Sequence, residues 1–365
     1  MFRFGLFFLI FYTTLACSEA RSGETVNSES KLEVIVTNLT IPWALAFLPS
    51  GDHLITEKEG KILWHKKTDP PGKFTEVRGV PEVYEGGQGG LMDLVLHPKF
   101  QTTPWVYLTY SISKNGKKTT RVSRALWKNG VLENFQVLFT AQPWFRQNLH
   151  FGSRLVFDSK GYMFFTVGDR GNRDLAQNLS THNGKVLRLH ADGSIPEDNP
   201  FISHNNSMKE IWSYGHRNPQ GLVFKGKELW AHEHGPRGGD EINMIQKGKN
   251  YGWPVVTYGK EYIGGSIGEG FTKAGMEDPK KYYIPSIAPC GMAYYNGNLF
   301  SKWKNSFFIG SLVLRHLNRV SVDDFSEEER LLNTLGKRVR DVRVGPDDFI
   351  YFAVEEGAIY RIIPK

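Results

Sequence analysis

The stretch SRLVFDSKGYMFFTVGD, residues 153–169, reads as a short apolar strand, a polar turn and a second apolar strand. The arrangement recurs five more times: WALAFLPSGDHLITE (43–57), LMDLVLHPKFQTTPWVYLTY (91–110), QGLVFKGKELWAHEHG (220–235), GMAYYNGNLFSKWKNSFFIG (291–310) and RDVRVGPDDFIYFAVEEG (340–357). Anchored on the apolar residue before each turn, the repeats fall at Phe47, Leu96, Phe157, Phe224, Tyr294 and Val344. The spacings are 49, 61, 67, 70 and 50 residues. Each has room for about four short strands plus loops, the content of one β-propeller blade. The expectation is therefore an all-β chain folded as a six-bladed β-propeller over residues 32–365. A β-sandwich of this length would need many more strands than usual. The final strand, in EGAIYRII (356–363), is expected to close the ring against sequence near the amino terminus.

Composition supports this. Of 365 residues, 38 are Gly and 18 Pro, a density of helix breakers that argues against a helical bundle, while 24 Phe, 15 Tyr and 9 Trp suit strands. At 40% hydrophobic residues the chain is too apolar for a disordered protein. The net charge of +7 is scattered. Its densest cluster, Lys117, Lys118, Arg121 and Arg124, reads as a solvated strand-loop surface, so no nucleic-acid partner is expected.

Residues 1–17, MFRFGLFFLIFYTTLAC, have one early cation, an apolar run and small residues, the layout of an export signal too short to span a bilayer. Two outcomes stay open: lipidation at Cys17, which would tie the chain to a membrane, or cleavage after Ala20. Residues 18–31 read as a flexible tether, and the protein as exported, periplasmic or extracellular. Cys290 is the one other cysteine, leaving no intramolecular disulfide.

A propeller gathers loops from distant blades around one channel mouth, so polar residues at unit boundaries are the candidates for chemistry. Gln88 sits between two Gly pairs in YEGGQGGLMD, free to offer its amide to a ligand. His150 precedes one strand and Asp169 follows the next of the same unit, so adjacent strands would bring carboxylate to imidazole. Such a partner would hold the ring and favour its cationic form. The loop at 216–220 packs His, Arg, Asn, Pro and Gln in succession, and an Arg217 beside Asn218 suits carboxylates and carbonyls. His232 and His234 alternate in one strand, with no third soft ligand nearby. Gly235 and Pro236 offer two carbonyl oxygens in a bend, hard ligands suited to Ca²⁺. In KRVRDVRV, alternation directs Arg338 and Arg340 to one face, as a polyanionic cofactor would require. No HExxH, P-loop, GxSxG or GxGxxG after a strand occurs.

Three segments carry a resemblance: THNGKVLRLHADGSIPEDNPF (181–201), YGHRNPQGL (214–222) and EHGPRGGDEINMIQKGKNYGWP (233–254). Together with the loops above, the chain from about Leu39 onwards resembles the soluble pyrroloquinoline quinone (PQQ)-dependent sugar dehydrogenases of the glucose, aldose and sorbosone type. The resemblance implies a six-bladed propeller, PQQ and Ca²⁺ as cofactors, and oxidation of an aldose at C1 to an aldonolactone, with electrons passed to an external acceptor. It makes His150 the general base, Asp169 its orienting carboxylate and Arg217 the stabiliser of charge on the quinone. Asn218, Gln88, Arg338 and Arg340 become cofactor contacts. Gly235 and Pro236 become Ca²⁺ ligands, and Glu241 and Tyr251 part of a second Ca²⁺ site. Departures are Val313 where relatives often carry Lys, Tyr283 or Ile284 where Trp is common, and Cys290 where Ser is usual. The other readings are a propeller hydrolase or lactonase with a carboxylate-held metal near the axis, and a binding propeller that has lost PQQ. A monomer or homodimer is expected.

Overall fold

The computed structural model describes residues 23–365, so the expected export signal and Cys17 lie outside the described residues. The chain folds into six antiparallel sheets, five of four strands and one of five. The third blade shows how sequence becomes a sheet. Leu155–Phe157, Tyr162–Val167, Lys185–His190 and Ile211–Tyr214 run up and down in order, with Leu155 opposite Phe165 and Phe165 opposite Leu187. Its first turn is closed by Asp158, whose Oδ1 accepts the Lys160 and Tyr162 N–H groups, and by Gly161 at φ +86°. An Asp opening and a positive-φ Gly ending a tight turn are what such a reversal requires.

The first strands of the sheets are Pro42–Phe47, Leu91–Leu96, Leu155–Phe157, Pro219–Lys225, Pro289–Tyr295 and Val339–Val344. Each touches the next and the last returns to the first, so these six strands ring the axis. All six anchors read from the repeat lie in them. The blades pack through apolar faces: Tyr107 and Val122 of the second meet Leu155, Phe165 and Leu187 of the third, all essentially buried. Each such large side chain contributes about 1.5–3 kcal/mol.

Closure is made by the two chain ends. The sixth blade runs Val339–Val344, Ile350–Val354, Ala358–Pro364, and then takes Ser30–Val36 and Thr25–Asn27 from the start of the chain. Leu32 pairs with Ile362 and Val34 with Tyr360. The expected closure by EGAIYRII is observed, but the expected tether is too long. Strand structure begins at Thr25, inside the segment read as flexible, because the exposed edge of the last blade supplies a partner that local sequence does not reveal.

The axis is filled by ion pairs as well as apolar groups. Arg154 sits within the ring, over Trp43 at 4.4 Å, and its Nη1 donates to Asp341 at 2.7 Å. Its other nitrogens donate to the carbonyls of Gln220 and Arg340. Arg343 completes the group, reaching Asp341 at 2.8 Å and Asp93 at 2.5 Å. Side chains or carbonyls from five blades thus meet around one guanidinium. The basic cluster near Lys117 has structural work: Arg121 donates to Thr140, and Arg124 to Gln136 and the Ala191 carbonyl.

Candidate active site

His150 and Asp169 meet as strand adjacency implied, His150 Nδ1 lying 2.6 Å from Asp169 Oδ1. The His150 backbone takes φ +53°, and its N–H donates to Gln88 Oε1 at 2.7 Å. Asp169 is buried, and its Oδ1 also accepts the Gly171 N–H while Oδ2 accepts Trp253 Nε1–H at 2.8 Å. Burial pushes the Asp169 carboxyl up, but the His150 hydrogen bond and charge and the Gly171 N–H outweigh it and hold it below the usual range. The cationic imidazole expected from the sequence is not what results. Burial drives the His150 pKa down, the Asp169 bond opposes it, and the Arg217 charge adds to the fall. A neutral ring has a free lone pair on Nε2, which is what a base needs.

Arg217 is held from several sides. Its backbone N–H donates to Glu233 Oε2 at 2.5 Å, and Glu233 Oε1 also bonds His216 Nδ1 at 2.8 Å. His216, bonded to Ser213 as well, is a strut beneath the loop. The Arg217 guanidinium lies 5.5 Å from the Trp253 ring and donates to the carbonyls of His234 and Gly235. Asn218 Oδ1 accepts the Gly152 N–H, leaving its NH₂ to donate.

A cavity of about 380 Å³ opens beside this group, lined by Trp43, Gln88, His234, Arg338, Arg340 and Glu355. Arg338 and Arg340 do share a face, and Glu355 bridges them, accepting from Arg338 Nε and Arg340 Nη2. Arg340 Nη1 reaches Cys290 Sγ at 3.4 Å, and its Nε has no partner among the described residues. Lys58 also lines the cavity, and Val313 stands 58% exposed at its rim. Gln88 links the two halves of the site: its carbonyl oxygen holds the His150 backbone, and its NH₂ remains to donate.

Several of the groups expected as metal ligands are already engaged. The Gly235 carbonyl, offered as a Ca²⁺ ligand, accepts from Arg217 at 3.0 Å, so one of its lone pairs is engaged. The Pro236 carbonyl accepts no hydrogen bond from the described residues. Asp240 clamps this bend by accepting the Gly235 N–H and three donors from Ser286 to Ala288. Glu241 lies apart from the cavity, in the strand Asp240–Ile245; burial and then the neighbouring Glu233 push its pKa up to about 8. Two carboxyls pressed together invite a cation. The Tyr251 hydroxyl already donates to the Met244 carbonyl and accepts from Gln246 N–H, which leaves its backbone carbonyl as the available ligand. His232 does not pair with His234 on a metal: its Nε2 bonds the Gly291 carbonyl, and burial lowers its pKa to about 3. No three His, Cys, Asp or Glu side chains converge for a metal among the described residues.

The sequence model of the Glucose / Sorbosone dehydrogenase family matches residues 39–361. The chain belongs to this family. Aldose sugar dehydrogenase YliI of Escherichia coli is 41% identical over 98% of both chains. Quinoprotein glucose dehydrogenase B of Acinetobacter calcoaceticus is 35% identical over 68% of this chain and 57% of its own. Among solved structures, the apo form of the Escherichia coli enzyme superposes with a TM-score of 0.88 over 92% of this chain and 100% of the other. The PQQ-bound aldose sugar dehydrogenase of Streptomyces coelicolor, 26% identical, gives 0.77 over 93% and 100%.

Within this member of the glucose/sorbosone dehydrogenase family, three functional neighbours escaped the sequence reading. Trp253 is the second anchor of Asp169, Glu355 the partner of both arginines, and Lys58 an added cation beside the cavity. Trp253 lies in the 233–254 segment that carries the resemblance, but nothing in that segment pointed to Asp169. Arg343, the third arginine of KRVRDVRV, belongs to the axial ion pairs instead.

Proposed function

We propose that the chain is an exported, PQQ- and Ca²⁺-dependent dehydrogenase that oxidises aldoses at C1 to aldonolactones and passes electrons to an external acceptor. The observation that carries this reading is a His150–Asp169 pair, its carboxylate buried and its ring 12% exposed, joined through Gln88 to a cavity walled by Arg338 and Arg340. PQQ carries three carboxylates, and this wall suits it: two guanidiniums sharing Glu355, a Lys58 paired with Glu85 at 2.9 Å, and a buried Arg340 Nε–H without a partner among the described residues. Arg338, Arg340 and Gln88 would hold the cofactor carboxylates, and Arg217 and Asn218 would donate to its quinone side. When bound, PQQ supplies the hydride acceptor that no side chain can provide. His150 removes the proton of the sugar C1 hydroxyl, and Asp169 fixes the ring and stabilises the imidazolium that forms. Arg217 places a fixed positive charge where negative charge develops. Gly235 and Pro236 would give Ca²⁺ two carbonyl oxygens, provided Arg217 shares the first. Glu241 and the Tyr251 carbonyl suit the second Ca²⁺ site.

The hydrolase reading weakens on one observation: the axial carboxylates Asp93 and Asp341 are already neutralised by Arg154 and Arg343. Purified protein incubated with PQQ and Ca²⁺ and assayed for dye reduction on an aldose panel decides the matter. Activity only with PQQ is the expected result. Lactone hydrolysis without PQQ, or no activity under either condition, would overturn the proposal. Arg338→Ala is expected to weaken PQQ reconstitution by roughly 10–100-fold, the loss of one charge-assisted contact. A tryptophan-fluorescence titration checks this, and an unchanged midpoint would remove Arg338 from the cofactor wall.

A further inference from the structure

Arg170 has no part in the chemistry above, and its surroundings are unusual for an arginine. It is wholly buried, and among the described residues no carboxylate accepts from its guanidinium. Nη2 donates to the Gln147 carbonyl at 2.7 Å, Nη1 donates to the Leu149 carbonyl, and the group lies 3.4 Å from the centre of the Phe151 ring. Burial pushes its pKa down to about 9, against the pull of Asp169. A buried cation without an ion pair is costly, and an apolar side chain would fill the same space at less cost.

What the cation does make is a grip on both flanks of His150. The residues it touches, 147, 149 and 151, bracket the imidazole, whose own backbone is in the left-handed region at φ +53°. A non-glycine residue stays there only when its neighbours over-determine it. Gln88 holds the His150 N–H, Thr120 donates to the Phe151 carbonyl at 2.7 Å, and Arg170 supplies the remaining restraint. Arg170 also follows Asp169 directly, so the carboxylate and the clamp move as one turn.

We propose that Arg170 is the positioning residue of the base, clamping the His150 loop onto Asp169 through the carbonyls of Gln147 and Leu149 and the Phe151 ring. This rests on the reading of His150 as the base. The groups facing the imidazole have opposite effects: Asp169 favours its protonated form, while Arg217 and Arg170 disfavour it. His234, the remaining neighbour, is itself driven neutral, by burial first. Removing the Arg170 charge therefore raises the proton affinity of His150.

The test pairs an NMR titration of the His150 ring in the cofactor-free protein with kinetics of the PQQ- and Ca²⁺-loaded enzyme. In Arg170→Met the titration midpoint should move up, the acid limb of kcat should move to higher pH, and kcat should fall roughly 10–100-fold while KM changes less than about threefold. Arg170→Lys keeps the charge but loses the fork: its midpoint should stay near wild type while kcat still falls. An unmoved His150 midpoint in Arg170→Met, or a wild-type kcat, would overturn the proposal. If Arg170→Met does not fold, Arg170→Gln set against Arg170→Lys makes the same comparison. The titration needs no turnover, so it judges Arg170 even if His150→Ala were to retain activity and the base assignment itself were to fail.

Discussion

His150→Ala is expected to lower turnover by roughly 10²–10⁴-fold while the protein still folds and still takes up PQQ. The size follows from the role: the proton of the sugar hydroxyl loses its acceptor, and no other neutral base stands on Asp169. The wall proposed for the cofactor is made by other residues, so PQQ titration should change little. In the wild type, burial sets the protonation state of the ring more strongly than Asp169 does, and the pKa falls below its ordinary value of 6.5. Activity should therefore persist as pH falls through the usual imidazole range and decline only below it. Dye-reduction kinetics across pH check both points. Near-normal turnover in the variant, or a wild-type acid limb above the ordinary imidazole range, would remove His150 from the role of base.

Arg154→Met is expected to destabilise the fold by about 3–5 kcal/mol, the loss that follows when one partner of a buried ion-pair group is removed. Methionine matches the stem but leaves Asp341 and Asp93 facing Arg343 alone, and frees the carbonyls of Gln220 and Arg340. The effect should appear as a lower midpoint in chemical denaturation with little change in slope. A companion Asp341→Asn change should cost less in the Arg154→Met background than in the wild type, because the charges it removes are then already unbalanced. A loss below about 1 kcal/mol in the single variant would mean that the axial arginine is a spacer rather than a hub.

What could be read beforehand was what local pattern specifies. Six anchors at blade spacing are legible because each first strand and its turn are written in one short stretch. The His150–Asp169 pair was legible for the same reason, since a single hairpin carries both. Trp253 was not, because it reaches Asp169 from 84 positions away through a loop whose path depends on the neighbouring blade. Glu355 looks like one of two acids in an ordinary turn until Arg338 and Arg340 are seen to share it. The charge of His150 was misjudged because sequence displays the neighbouring carboxylate but not the depth of burial, and burial is the larger influence. The Gly235 carbonyl was visible as a candidate ligand, whereas its engagement by Arg217 was not. At the amino terminus, Thr25–Asn27 has too little apolar pattern to be distinguished from a tether; only the waiting sheet edge makes it a strand.

The closing seam sets a timetable for the whole molecule. Glu33 and Arg361, ion-paired across it, lie 328 positions apart. Nearly everything else can form blade by blade as the chain grows, but the outer strand Ser30–Val36 must wait until all the other blades have been made before its partner Ala358–Pro364 appears. A chain that stops before Ala358 would keep the five other blades complete and still be left with an open, sticky edge on either side of the gap. The seam thus works as a check on chain growth: a shut ring is a record that synthesis has passed Ala358–Pro364.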